Sequence, residues 1–135
     1  MTATDRALLL TRAAAEAAAD KLARDVIAFD VSDQLAITDV FLICSAANDR
    51  QVRAVVDAVQ ERLLDLGAKP VRREGEREAR WVLLDFGDIV VHVQHQEERA
   101  YYALERIWRD CPVVPVPDTV SASTGSTSST DNSQP

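Results

Sequence analysis

The chain has 135 residues, 47% of them hydrophobic, which suits one globular domain with a core that requires neither disulfides nor a structural metal. Its formal net charge is −7, of which Asp118 and Asp131 supply two negative charges, so residues 1–117 still carry −5 and have no overall attraction for a phosphate backbone. No run approaches the ~18 apolar residues of a membrane span, and Asp5 and Glu16 exclude an uninterrupted signal-peptide core, so the expected location is the cytoplasm and no membrane contact is expected.

A first helix is expected from a Thr4 cap to about Arg24, with Leu8, Ala15 and Leu22 on one side. The following DVIAFDV alternates, is rich in β-branched residues and reads as a strand. The next strand, Asp39 to Ser45 (DVFLICS), is nearly all apolar and should be covered on both faces. Asn48 and Gln51 then form a capping-box-like pair, Gly67 stands past the helix end, and Val52, Val55, Val56, Val59 and Leu63 make one apolar stripe between them. That stripe is a core face and not a cofactor site. A further strand near Lys69 to Arg73 would complete a βαβ unit with a right-handed crossover.

Between Arg72 and Arg80, arginines alternate with Glu74, Glu76 and Glu78, which reads as a solvated, self-compensating strand or loop. WVLLDFGDIVVHV (Trp81 to Val93) is the most apolar stretch. Its Gly87-Asp88 is a two-residue hairpin turn, with glycine supplying a positive φ. That turn sets Phe86 opposite Ile89, Leu84 opposite Val91 and Val82 opposite Val93, six side chains on a core face. The other face carries Trp81, Leu83 and Asp85 opposite Gln94, His92 and Val90. A last helix, about Glu97 to Arg109, should turn Ala100, Leu104, Ile107 and Trp108 inward. PVVPVP (Pro112 to Pro117) should be an extended strap, and residues 118–135 form a Ser/Thr-rich segment expected to be disordered. The expected fold is therefore α/β: one domain over residues 1–117, with a mixed sheet of about five strands packed with helices.

Candidate chemistry is sparse. A magnesium-dependent nucleotidyltransferase or phosphohydrolase would have to use Asp85 and Asp88, but Asp85 projects from a sheet face while Asp88 belongs to the turn, so their oxygens converge poorly on one ion. There is no Gly-Ser turn before a carboxylate pair, no GxGxxG and no P-loop lysine. His92 and His95 point to opposite faces, and Cys44 and Cys111 read as a buried and a surface thiol, not as a disulfide. No catalytic residue, metal site or cofactor is expected. An aromatic-aliphatic patch led by Trp81 is instead a candidate anchor for a protein partner.

Four stretches together, ITDVFLICSAANDRQV (Ile37 to Val52), Glu74-Gly75-Glu76, WVLLDFGDIVVHV and YYALERIW (Tyr101 to Trp108), resemble the ribosomal silencing factors, or Iojap-like proteins, over about residues 5–109. Ala46 stands where glycine is usual and Phe86 where tyrosine or leucine is common. The resemblance implies a fold distantly like nucleotidyltransferases without their active site. It also implies repression of translation by binding the large ribosomal subunit through its protein number fourteen, which blocks joining of the small subunit when nutrients are scarce. Trp81, Leu83, Asp85, Phe86, Gly87 and Asp88 carry over as the partner-binding motif, with Glu74 nearby; the hairpin register adds Val90 and His92. A homodimer through the same patch is the competing use of that surface.

Overall fold

The computed structural model describes residues 2–117, so the expected disorder of residues 118–135 lies outside the described residues. In chain order the elements are α1 (Asp5–Asp20), β1 (Arg24–Asp30), β2 (Val40–Ala46), α2 (Asp49–Asp65), β3 (Arg72–Glu74), β4 (Trp81–Asp85), β5 (Ile89–His95), α3 (Gln96–Tyr102), a 3-10 turn (Leu104–Arg106) and β6 (Val113–Val114). The strands form one six-stranded sheet in the order β3-β4-β5-β2-β1-β6. Among the described residues only β2 and β5 pair in parallel; the other pairings are antiparallel.

The Thr4 hydroxyl caps α1 by accepting a bond from the Ala7 N–H at 3.0 Å. The helix stops at Asp20, earlier than its composition suggests, because Leu22 turns into the left-handed region (φ 63°) and the Ala23 N–H bonds back to the Ala18 carbonyl. Leu22 is therefore solvent-exposed and not inward, while Ala15 is buried and Leu8 packs at the edge of the core. The seated face is mostly alanine (Ala7, Ala14, Ala18) around Leu10, which lets the helix axis approach the sheet closely.

α2 follows its sequence signals closely. Asn48 accepts from the Gln51 N–H at 2.9 Å, and the Gln51 carboxamide accepts from Ala47 N–H while donating to the Lys21 and Leu22 carbonyls, tying the end of α1 to the start of α2. All five stripe residues are buried, each side chain contributing roughly 1.5–3 kcal/mol. Gly67 (φ 82°) ends the helix, with Ala68 N–H reaching the Leu63 carbonyl.

α1 and α2 cover one face of the sheet, where Val40, Leu42, Cys44, Val82, Leu84, Phe86, Ile89, Val91 and Val93 form the main core. On the opposite face a smaller cluster centres on Phe29, Val31 and Ile43, with Phe41, Leu104 and Trp108 packed against it. Cys44 is buried, Cys111 is half-buried, and both are free thiols.

Three further expectations need correction. The strand after α2 is Arg72–Glu74, and it pairs with β4 at the sheet edge; the parallel neighbour of β2 is β5, so the connection through α2 passes over two strands. The PVVPVP strap contributes a sixth strand, because Val113 and Val114 pair with Phe29 and Ala28, and an edge position leaves Pro112 free of any need to donate. The last helix ends at Tyr102: Ala103 adopts φ 45°, Ala100 and Ile107 face solvent, and the chain restarts as a 3-10 turn that sets Trp108 edge-on to Phe41 at 5.0 Å. An Arg99–Glu105 ion pair at 3.0 Å spans the break.

Candidate partner-binding surface

The β4–β5 hairpin has the register that a two-residue turn demands. Val82 pairs with Val93 and Leu84 with Val91, the Phe86 N–H donates to the Ile89 carbonyl at 2.9 Å, and Gly87 takes φ 85°. All six predicted core-face residues are buried. Phe86 is one of them, only 7% exposed, so it seats the hairpin on the helices and offers a partner little surface.

Asp85 and Asp88 are separated by the same turn. Asp85 Oδ1 accepts from the Gly87 N–H at 2.8 Å, fixing the turn, and Oδ2 stands 4.0 Å from Arg72. Asp88 is exposed, and its carbonyl accepts from Asp39 N–H and the Thr38 hydroxyl. Among the described residues no group of three or more His, Cys, Asp or Glu is placed to hold a metal ion.

On the second face, Trp81 is half-buried. Its indole Nε1 donates to His92 Nδ1 at 3.1 Å, and Tyr102 of α3 packs on its ring at 5.0 Å. His92 is 4% exposed and Phe41 lies 5.1 Å from its ring; burial pushes its pKa down to about 4, so the imidazole is neutral. With Nδ1 accepting, the proton sits on Nε2, which has no partner among the described residues. Val90 is 8% exposed, so His92 and Val90 form the floor of the surface and not its contact points.

The exposed part is elsewhere. Leu83 and Asp85 are half-exposed, and β3 sets Glu74 beside Leu83 and Arg72 beside Asp85. The Val71 N–H bonds to the Asp85 carbonyl at 2.7 Å and brings Val71, an exposed residue, to the edge of the same face. Ile37, 86% exposed, approaches from the β1–β2 loop. Leu35, Ile37, Phe41, Val71 and Leu83 line a cleft of about 370 Å³ whose rim carries Arg72 and Asp85. Sequence reasoning missed Leu35, Ile37, Phe41 and Val71. They lie far apart in the chain, and only the folded sheet unites them: β2 pairs with β5 and β5 with β4, while the chain leading into β3 adds Val71.

The EGE turn has a structural reason. Gly75 adopts φ 82°, and a side chain there would overlap the Trp81 carbonyl. Glu74 is thus held on a turn braced against the tryptophan's own backbone. At the other end of β4, Arg80 bonds Glu97 and Glu98 at 2.9 and 2.7 Å, pinning the start of α3 beside Trp81.

The sequence matches the family described as ribosomal silencing factor during starvation over residues 4–135. It is 42% identical over 104 residues to a ribosomal silencing factor of Bacillus subtilis, covering 77% of this chain and 88% of that protein. It is also 32% identical over 89 residues to a mouse protein named for mitochondrial assembly of the ribosomal large subunit, covering 64% of this chain and 39% of that one. A crystal structure of a Chromobacterium violaceum protein superposes with a TM-score of 0.73 at 31% identity, covering 83% of this chain and 90% of that one.

Proposed function

The chain belongs to the ribosomal silencing factor family, whose role is ribosome-associated silencing of translation, and on that premise we propose that it binds the large subunit and sterically prevents the small subunit from joining. The contact we propose is the subunit's protein number fourteen, engaged by the face that carries Trp81, Leu83, Asp85 and Glu74, with Gly87 and Asp88 shaping its end. Phe86, Val90 and His92 support that face from within. The protein acts by occupancy and needs no covalent chemistry.

One observation carries the reading: an exposed apolar cleft rimmed by Arg72 and Asp85, and lined by Leu83 two residues along β4 from Trp81, lies on the sheet face that α1 and α2 leave uncovered. Exposed apolar groups ringed by polar ones suit an anchor for a protein partner, and the net charge of −7 favours encounter with a basic one. The name of the mouse relative supports the large subunit as the target. Trp81→Ala is expected to remain folded while its cosedimentation with large subunits weakens by about 2 kcal/mol or more. Wild-type cosedimentation by that variant would remove Trp81 from the interface. A concentration-dependent dimer lost in the same variant would assign the patch to a second copy.

A further inference from the structure

Charge is unevenly spread over this acidic chain. A cleft of about 480 Å³ lies where the end of α1, the start of β1 and the first turns of α2 meet, and its charged lining is Lys21, Arg24 and Arg50, all three exposed and all cationic. The clefts around Gln60, Val56, Ser45 and Leu83 each include at least one carboxylate. Acids close to the cations in sequence are directed elsewhere: Asp20 pairs with Arg62 at 2.8 Å, Asp49 pairs with Arg53 at 3.4 Å, and Asp25, with φ 52°, lines the Ser45 cleft beside α3. Three cations gathered without a carboxylate among them repel one another, and an anionic partner relieves that repulsion.

The cleft is also braced. The Gln51 carboxamide, part of its lining, donates to the Lys21 and Leu22 carbonyls at 3.0 and 3.1 Å and so fixes the loop that carries two of the cations. Asn48 caps α2 with its side-chain oxygen, which leaves its amide N–H donors for an acceptor in the cleft. α2 brings its own first-turn acid, Asp49, so the side-chain cations and not the helix end supply the attraction. Long exposed cations around an open groove suit a chain of phosphates running past them, since Lys, Arg and Asn bind phosphate oxygens without reading a base.

The position of the cleft connects it with the proposed interface. It opens at the end of the sheet where β2 and β5 finish, and β4 begins at that end with Trp81, opposite Gln94. Arg53 of α2 donates to the Arg77 carbonyl at 2.8 Å, joining the first turns of α2 to the segment that leads into Trp81. We infer that Lys21, Arg24 and Arg50 form a second contact with the large subunit, made to the phosphate backbone of its RNA. This inference rests on the subunit binding proposed above. It gives an acidic protein a local, sequence-independent hold on nucleic acid, while the Trp81 face engages protein.

The test is cosedimentation of the full-length protein with large subunits over a series of KCl concentrations. The combined variant Lys21→Gln, Arg24→Gln, Arg50→Gln changes only exposed side chains and is expected to stay folded by circular dichroism. Its affinity should fall at least about tenfold at low salt, and the slope of log affinity against log salt should flatten by about two units. Arg12→Gln, Arg62→Gln and Lys69→Gln combined remove the same charge away from the cleft and should leave the slope at its wild-type value. An unchanged slope in the first variant, or equal flattening in both, overturns the inference while subunit binding itself stands. A wild type that fails to cosediment overturns the function proposed above, and a second titration then decides the cleft alone: isotope-labelled protein with a short RNA duplex or with oligoglutamate, followed by NMR. Shifts at Leu22, Arg24, Asn48 and Gln51 that favour the duplex support a phosphate-binding cleft; no shifts, or a preference for oligoglutamate, overturn it.

Discussion

The indole of Trp81 donates to Nδ1 of His92 at 3.1 Å across the β4–β5 ladder, so the most prominent side chain of the proposed interface is held by a neutral, buried imidazole. Trp81→Phe keeps the packing against Tyr102 but leaves the His92 acceptor without its donor. Urea unfolding is expected to show a loss of about 1–2 kcal/mol, with the fold retained. An unchanged midpoint would mean that this hydrogen bond contributes nothing to holding the ring.

The same imidazole makes stability depend on pH. Its folded-state pKa, about 4, lies below the ordinary 6.5, so the unfolded chain binds a proton more readily and stability is lost as pH falls from about 6.5 towards 4. Relative to a His92→Leu variant, the wild type should lose roughly 2–3 kcal/mol more between pH 7 and pH 4.5. Parallel losses in the two proteins would show that His92 titrates normally.

Gly75 and Gly87 both have positive φ, yet they should respond differently to alanine. A side chain at Gly75 overlaps the Trp81 carbonyl, whereas at Gly87 nothing lies within 4 Å. Gly87→Ala is expected to cost about 1–2 kcal/mol for the left-handed backbone alone. Gly75→Ala should cost more and should shift the Trp81 fluorescence, because the strand start must move. Equal costs at the two sites would remove the bracing role of the EGE turn.

Ile37 and Val71 are exposed, so their replacement should leave the fold alone. Ile37→Asp and Val71→Asp are each expected to change unfolding free energy by no more than about 0.5 kcal/mol while weakening large-subunit binding at least about tenfold. Binding equal to wild type in both would move the interface away from the 370 Å³ cleft.

What the sequence made legible were the features governed by local rules. Gly87-Asp88 specified the hairpin register, and with it the separation of Asp85 from Asp88; Asn48, Gln51 and Gly67 bounded α2. The features that escaped were those in which tertiary packing overrode local preference. Leu22 and Ala103 adopt left-handed backbone that their side chains disfavour, so neither helix end carried a glycine to mark it. β6 hid in a proline-rich strap because its pairing partner is some eighty residues away. The hairpin motif was legible but the surface around it was not: Phe86, Val90 and His92 are buried, while Ile37 and Val71 join the proposed patch only through the folded sheet.

The most direct measurement mixes separated large and small ribosomal subunits with the purified protein and follows the joined particle by light scattering or sedimentation. The wild-type chain is predicted to prevent joining when added before the small subunit, and the Trp81→Ala and Ile37→Asp variants to permit it. Undiminished joining in the presence of saturating wild-type protein would contradict the proposed mechanism.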